Sequence, residues 1–232
     1  WTQPSTAPEW EVVWTRGVDT GKEMVTSPSF TMSGLEESTS YAVGLQVRAI
    51  CQEGDTSEVT SSSISFKTRC AAVALPFYES FDALSSTQIP DCWDNSLDAD
   101  IQQRWWSSGA GYDDTRGIAY YASSSSSSYV GQRCLLMTPT LELTENSRLS
   151  FHFLNGYPLQ ARFSVWVHTD GNMNVADTLA SALSSSAWEQ KTYDLSAYTG
   201  KNIIVVFAAT TLGGETAGSS VLLDNVEVSA LT

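Results

Sequence analysis

Hydrophobic and polar residues alternate along most of this chain, and the alternation comes in short runs. Residues 10–14, WEVVW, alternate as a half-buried strand does. A turn follows at Gly17 to Gly21, and residues 29–34 and 41–49 are expected as strands. In the second of these, Tyr41, Val43, Leu45 and Val47 keep period two and share one face. Residues 51–58 form a polar loop, and residues 59–68 form another strand. After residues 70–76 the pattern resumes with FYESF at 77–81. Further strands are expected at 104–107, 117–122, 134–137, 149–154, 162–168, 189–193, 202–209 and 221–228. Short strands punctuated by turn signals predict β-sandwiches, not βαβ units. The serine run at 123–128 is the composition of a solvated loop.

The two stretches predict two modules. Residues 71–76 form the linker, where Pro76 stops strand pairing. That linker has no glycine–serine or proline-rich run, so the modules are expected to hold a fixed relation. Composition agrees with the all-β reading: 42% of residues are hydrophobic and 11% aromatic, as strand-rich modules require. The net charge of −14 repels nucleic acid and anionic lipid, so neither is expected as a partner. No apolar run reaches the ~18–20 residues of a membrane span.

The four cysteines, Cys51, Cys70, Cys92 and Cys134, form no C-x-x-C pair, which argues against a zinc or redox motif. Their positions suggest one disulfide per module, Cys51–Cys70 and Cys92–Cys134, each worth about 3–4 kcal/mol in the loop-entropy picture. The alternative is four reduced thiols.

The segment GLEESTSYAVGLQVRAIC at 34–51 resembles the late-strand signature of fibronectin type III domains, with Leu35 and Tyr41 at the positions of the leucine and the corner tyrosine. GDTSEVTSSSISFKTRC at 54–70 resembles the closing hairpin of such domains in bacterial surface proteins. The resemblance covers residues 1–70. It implies a sandwich whose first strands precede Trp1, so an upstream segment is expected.

The second module resembles the cleaved-adhesin family, also called choice-of-anchor J, of gingipain-type adhesin regions, which is related to MAM domains. The resemblance rests on LPFYESFD (75–82), IPDCW (89–93), LLMTPTLEL (135–143), RLSFHF (148–153), FSVWVHTDG (163–171), WEQKTYDLSAYTGKNIIVVF (188–207) and LLDNVEV (222–228), in that order. It implies a jelly-roll β-sandwich over residues 77–232, of the concanavalin or galactose-binding kind. It also implies a place at the bacterial cell surface, outer-membrane associated, inside a larger exported protein. A glycan or a host or cell-surface protein is the expected partner, and the piece itself is expected to be monomeric.

The family resemblance further implies a structural calcium pinning the first and last strands together. Glu79, Asp82 and Asp224 are the candidate ligands by that carry-over, with Asn225 assisting; hard cations take several oxygen donors. The alternative is that these are ordinary strand acids making hydrogen bonds. Asp170, Gly171, Asn172 and Asn174 imitate a calcium loop but lack the closing glutamate.

Catalytic patterns are missing. His152 and His168 lie in strands with apolar neighbours, and there is no G-x-S-x-G elbow. Glycoside hydrolysis needs two facing carboxylates, whereas Asp98/Asp100 and Asp113/Asp114 fall in loop-like stretches. No enzyme activity is expected. Ligand recognition has better material. Trp106, Tyr112, Tyr120 and Tyr121 cluster in the second module beside Arg104, Asp113, Asp114 and Arg116, and sugar rings bind flat aromatic faces with polar neighbours. Adjacent Trp105 and Trp106 must point to opposite faces of a strand, and Trp106 is the candidate for the ligand side. The alternative places these aromatics in the core and its rim, which would suit a structural spacer. Trp93, Trp166 and Trp188 are expected in the core.

Overall fold

The computed structural model describes residues 7–52, 54–97, 105–122, 130–169, 171–172, 176–212 and 219–231. Asp98, Asp100, Arg104, Asp170, Asn174 and the serine run at 123–128 fall, wholly or largely, outside them. The chain divides into two compact units, Trp1–Cys70 and Ala71–Thr232.

The first unit holds β1 (Glu9–Arg16), β2 (Asp19–Val25), β3 (Ser40–Gln52), β4 (Asp55–Thr56) and β5 (Thr60–Lys67). They form one antiparallel sheet in which β1 lies between β2 and β3, and β3 also pairs with β4 and β5. Trp10, Val12 and Val43 are its buried apolar residues. Register places Val12 opposite Val47 and Trp14 opposite Leu45, so one face is apolar. The other face carries Glu11, whose carboxylate meets Arg48 Nε at 2.8 Å and the Lys22 ammonium. The Arg48 hydrogen bond, then Lys22, hold Glu11 below the usual carboxylate range. The Tyr41 hydroxyl accepts the Glu36 N–H at 2.8 Å, and its ring lies 5.9 Å from Phe66.

Two expectations fail in this unit. Residues 29–34 alternate but form no strand; β1 and β3 are already paired on both edges, so alternation there supplies a face without a ladder. β2, DTGKEMV, begins inside the turn expected at Gly17 to Gly21 and runs on through residues for which no strand is expected. It is a polar edge strand that the register with β1 creates.

The second unit holds β6 (Val73–Ala74), β7 (Phe77–Glu79), β8 (Asp94–Leu97), β9 (Trp105–Ser108), β10 (Gly117–Ala122), β11 (Arg133–Met137), β12 (Leu141–Leu143), β13 (Ser147–Asn155), β14 (Ala161–Thr169), β15 (Asp177–Leu183), β16 (Ser185–Asp194), β17 (Lys201–Thr211) and β18 (Ser219–Ala230). A six-stranded sheet runs β16-β13-β18-β10-β9, with β7 also on β18. A seven-stranded sheet runs β15-β14-β17-β11-β8, with β12 on β17 and β6 on β12. β6 draws two residues of the expected linker into this sheet, where Val73 donates to the Thr140 carbonyl at 2.8 Å.

The core lies between the sheets. Phe151 of the six-stranded sheet meets Phe207 of the seven-stranded sheet edge-on at 5.2 Å, and Trp93 stacks on Phe207 at 6.4 Å. Trp105 packs against Tyr120 and Phe163. Burying each such ring contributes about 1.5–3 kcal/mol. β17 is buried on both faces. Ile203, Val205, Phe207 and Ala209 belong to the sandwich core. Ile204 and Val206 form a second cluster with Met137, against which Leu135 and Trp166 pack. Trp166 is therefore outside the main core, and the Arg133 guanidinium lies 5.4 Å over its ring.

The expected disulfides are corrected. Cys70 and Cys92 are the disulfide-bonded cysteines, and Cys51 and Cys134 are thiols. Cys51 stands exposed near the end of β3. Cys134 points from β11 into the core at 0% exposure, its Sγ 3.5 Å from Asn95 Oδ1. Cys92 is exposed in the turn after Pro90, so it and Cys134 face different environments.

Candidate functional site

Strand parity decides what the outer side of the six-stranded sheet presents. Trp105 points inward and is 1% exposed, so Trp106 points outward and is half-buried. On β10, Tyr120 points inward. It is fully buried, packs on Trp105, and shares a hydrogen bond with the Thr211 hydroxyl. Tyr120 is thus a core residue and not a ligand contact, contrary to the sequence expectation. Tyr121 points outward at 36% exposure, its ring 5.6 Å from Trp106. Its hydroxyl lies 3.4 Å from Ser108 Oγ.

Register carries this face across the sheet. Trp106 lies opposite Ala119, Ala119 opposite Leu222, and Leu222 opposite Leu154. One row along, His152 lies opposite Asp224. The segment from Gly111 to Arg116 packs against Asp224 on this face. Tyr112–Asp114 form a 3-10 turn in which Asp113 and Asp114 adopt left-handed φ of 53° and 60°. The Tyr112 ring stacks on His152 at 4.0 Å and 18°, and meets Trp188 edge-on at 6.1 Å. Burial pushes the His152 pKa below its ordinary value, with Asp113 opposing. Trp188, expected in the core, belongs instead to this outer group.

The segment hangs on carboxylates. Asp224 Oδ2 accepts the Tyr112 N–H at 2.7 Å and lies 3.4 Å from the Thr115 hydroxyl. Asp82 Oδ1 accepts the Arg116 N–H at 3.1 Å. Only glycine fits at 111: a Cβ there would stand 2.5 Å from the Arg116 carbonyl carbon and 2.7 Å from Asp224 Oδ2.

The three acids expected at the strand ends do converge on one region. Glu79 pairs with Val226, two residues from Asp224. β13 and β18 shift register between Ser150 and His152, so Asn225 and Val226 together oppose Phe151. Asn225 takes φ 49° there, as bulges do when they re-aim a neighbour. Its side-chain oxygen accepts the Tyr78 hydroxyl, and its N–H donates to Asp224 Oδ1 at 2.7 Å. Glu79 Oε1 accepts the Phe81 N–H at 2.7 Å. Asp224 is 0% exposed. Burial, with the nearby Asp82 charge adding to it, pushes its pKa up to about 6 against the pull of its N–H donors. Burial also raises Glu79. Among the described residues, no group of three or more His, Cys, Asp or Glu side chains is arranged to hold a metal ion. The hard oxygen donors suit calcium, but several of their lone pairs are engaged by backbone N–H groups.

Both histidines are accounted for structurally. His168 is 6% exposed with Nδ1 3.2 Å from the Asn172 carbonyl, and His152 lies under Tyr112. Sequence reasoning missed His152 and Trp188 as members of the outer face. Their signal was parity, since each alternates with an inward neighbour on its strand.

No family model matches the chain, and no curated protein matches it. Solved structures do. The K1 cleaved adhesin domain of Lys-gingipain from Porphyromonas gingivalis W83 matches with TM-score 0.53 and 20% identity, over 68% of this chain and 99% of that one. The K3 domain of the same protein matches with TM-score 0.50 and 19% identity, over 67% and 98%. A carbohydrate-binding module solved with β-1,4-galactotriose matches more loosely, at TM-score 0.42 and 11% identity over 61% and 90%. The two adhesin-domain likenesses show the fold alone: an all-β sandwich resembling bacterial adhesin domains. Among the described residues no helix is long and apolar enough to cross a membrane.

Proposed function

We propose that this chain is a non-catalytic adhesion module of a larger bacterial surface protein, and that it binds glycan through the outer face of its six-stranded sheet. One observation carries the reading. Trp106 and Tyr121 pair on that face, and Tyr112, His152 and Trp188 group on it as well, while the core is filled by other rings. Partly exposed aromatics with polar neighbours are the surface that sugar rings stack on. The adhesin-like fold supports an extracellular place.

Residues 1–70 act as a fibronectin-III-like unit ahead of the ligand-binding unit. The Tyr41 hydroxyl bond to the Glu36 N–H supports that assignment, since it is the bond a corner tyrosine makes. Glu79, Asp82 and Asp224 would hold a structural calcium in the second unit only after regrouping, since among the described residues they are not arranged to hold a metal ion. Its chemistry is charge neutralisation of carboxylates that burial has driven toward protonation.

A glycan array with the purified chain tests the ligand reading. Saccharide signals that Trp106→Ala abolishes are expected. A silent array, with a host protein captured through the same face or no ligand at all, sinks it in favour of protein adhesion or a spacer. Calcium should raise the melting temperature and EDTA lower it. Identical melting curves in both would remove the ion.

A further inference from the structure

The outer side of the six-stranded sheet presents its rings in two separate pairs. Trp106 on β9 and Tyr121 on β10 lie side by side, 5.6 Å apart and tilted by 33°, and Tyr121 is 36% exposed. Tyr112 and Trp188 meet at 6.1 Å and 79°, so they form a corner. His152 stacks on Tyr112 and takes one face of that ring.

The strip between the pairs is closed. Ala119 and Leu222 occupy outward positions of β10 and β18 there, yet they are 0% and 8% exposed. The rows are also discontinuous, because β13 and β16 shift register between Phe153 and Asn155, at the level of Trp188. β10, β18 and β13 stand between β9 and β16, which sets four strand spacings, about 19 Å, across the sheet. A saccharide chain bridging that distance would cross a strip that offers it no surface. The pairs differ in shape and charge as well. Trp106 and Tyr121 make a nearly flat platform for one ring face. The corner stands beside Asp113 and Asp114, both exposed, in a chain of net charge −14. Neutral hydroxyls can donate to those carboxylates, whereas uronates and sulfated sugars meet repulsion.

Resting on the glycan reading above, we infer that this face holds two independent seats, at Trp106–Tyr121 and at Tyr112–Trp188, each for the neutral end of a separate saccharide chain. The ligand class is a branched or densely displayed neutral glycan whose neighbouring ends fill both seats at once. Two weak contacts held together gain affinity through effective concentration. On a washed array the loss of either seat therefore removes the signal, whereas in solution the other seat still answers.

The test follows the indole N–H signals of Trp106 and Trp188 by NMR, in the whole chain. The probes are lactose, cellobiose and diacetylchitobiose, their tetrasaccharide counterparts, and each disaccharide doubled on a flexible linker spanning about 20 Å. Both signals should shift with a disaccharide, and the tetrasaccharide should leave each midpoint within about twofold. Trp106→Ala should leave the Trp188 response intact, and Trp188→Ala the Trp106 response. The doubled disaccharide should bind about tenfold tighter than the single one, and either variant should remove that gain. Melting curves check that the variants fold, and Trp188→Phe replaces Trp188→Ala if the corner collapses. Affinity that climbs steadily with chain length, a response at one Trp alone, loss of both responses in a single variant, no gain from doubling, or silence of these sugars beside a positive array overturns this inference and leaves the glycan reading standing. Silence of every saccharide here and of the array above overturns both.

Discussion

The two sheets of the second unit bury their inner faces against each other but treat their outer sides differently. Outside the seven-stranded sheet, Met137, Ile204 and Val206 are covered by Leu135 and Trp166, and Arg133 lies over Trp166. Outside the six-stranded sheet, Trp106 meets Tyr121 and Tyr112 meets Trp188, and all four remain partly open to solvent. A tryptophan on an outer face is therefore not by itself a ligand contact. Trp166 closes a small second core, whereas Trp106 meets a ring that is itself exposed.

The sharpest way to break this contrast is Trp166→Ala. It should cost about 3–5 kcal/mol of stability, as truncating a packed aromatic does, and leave saccharide binding unchanged. Denaturant melts and titration check both halves, and a large loss of binding at unchanged stability would reverse the assignment of the two faces. Gly111→Ala should come next, lowering stability by about 1–3 kcal/mol through overpacking. It should also move Tyr112 off His152, visible as altered ring-current shifts of the His152 protons.

The pH response of Asp224 sharpens the comparison from the side of its anchor. Its folded-state pKa of about 6 lies above its ordinary value of 3.8. Between about pH 4 and 6 the folded state therefore holds a proton that the unfolded state has released. In EDTA, this group's contribution to stability should be largest below pH 4, fall as pH rises to 6, and stay low above. Glu79 acts in the same direction. Asp224→Asn should flatten that slope, and calcium should offset it at pH 7; melting curves across pH 4–8 decide. The smallest stability effect should come from Trp106→Ala, within about 1 kcal/mol, although it removes the ligand contact. A loss as large as that of Trp166→Ala would make Trp106 a core residue after all.

Much of this was legible in the primary structure, and the failures have physical causes. The all-β pattern and the opposed faces of Trp105 and Trp106 follow from period two. So does the inward face of Phe151 and Phe153. Tyr120 was misplaced because adjacent tyrosines satisfy alternation in either phase until the partner strand is known; its pairing opposite Trp105 sets that phase. β2, β8 and β15 escaped notice because polar or weakly apolar strands at or near a sheet edge leave little hydrophobic pattern. The nearness of Glu79 and Asp224 was implied by the family resemblance, in which the first and last strands are neighbours, and not by the residues themselves. The bulge at Asn225 could not be inferred, because left-handed backbone at asparagine has no periodic signature. The cysteine pairing failed because spacing along the chain says nothing about direction, and Cys134 points into the core.

The anchoring of Tyr112 by Asp224 has a consequence for anyone wishing to move this binding surface elsewhere. Grafting the exposed rings alone onto another sandwich would transfer shape without orientation, since Tyr112 is placed by its own backbone N–H as well as by its ring. The portable unit is the hairpin from Ser108 to Gly117 together with the acidic residue on the neighbouring strand that receives it.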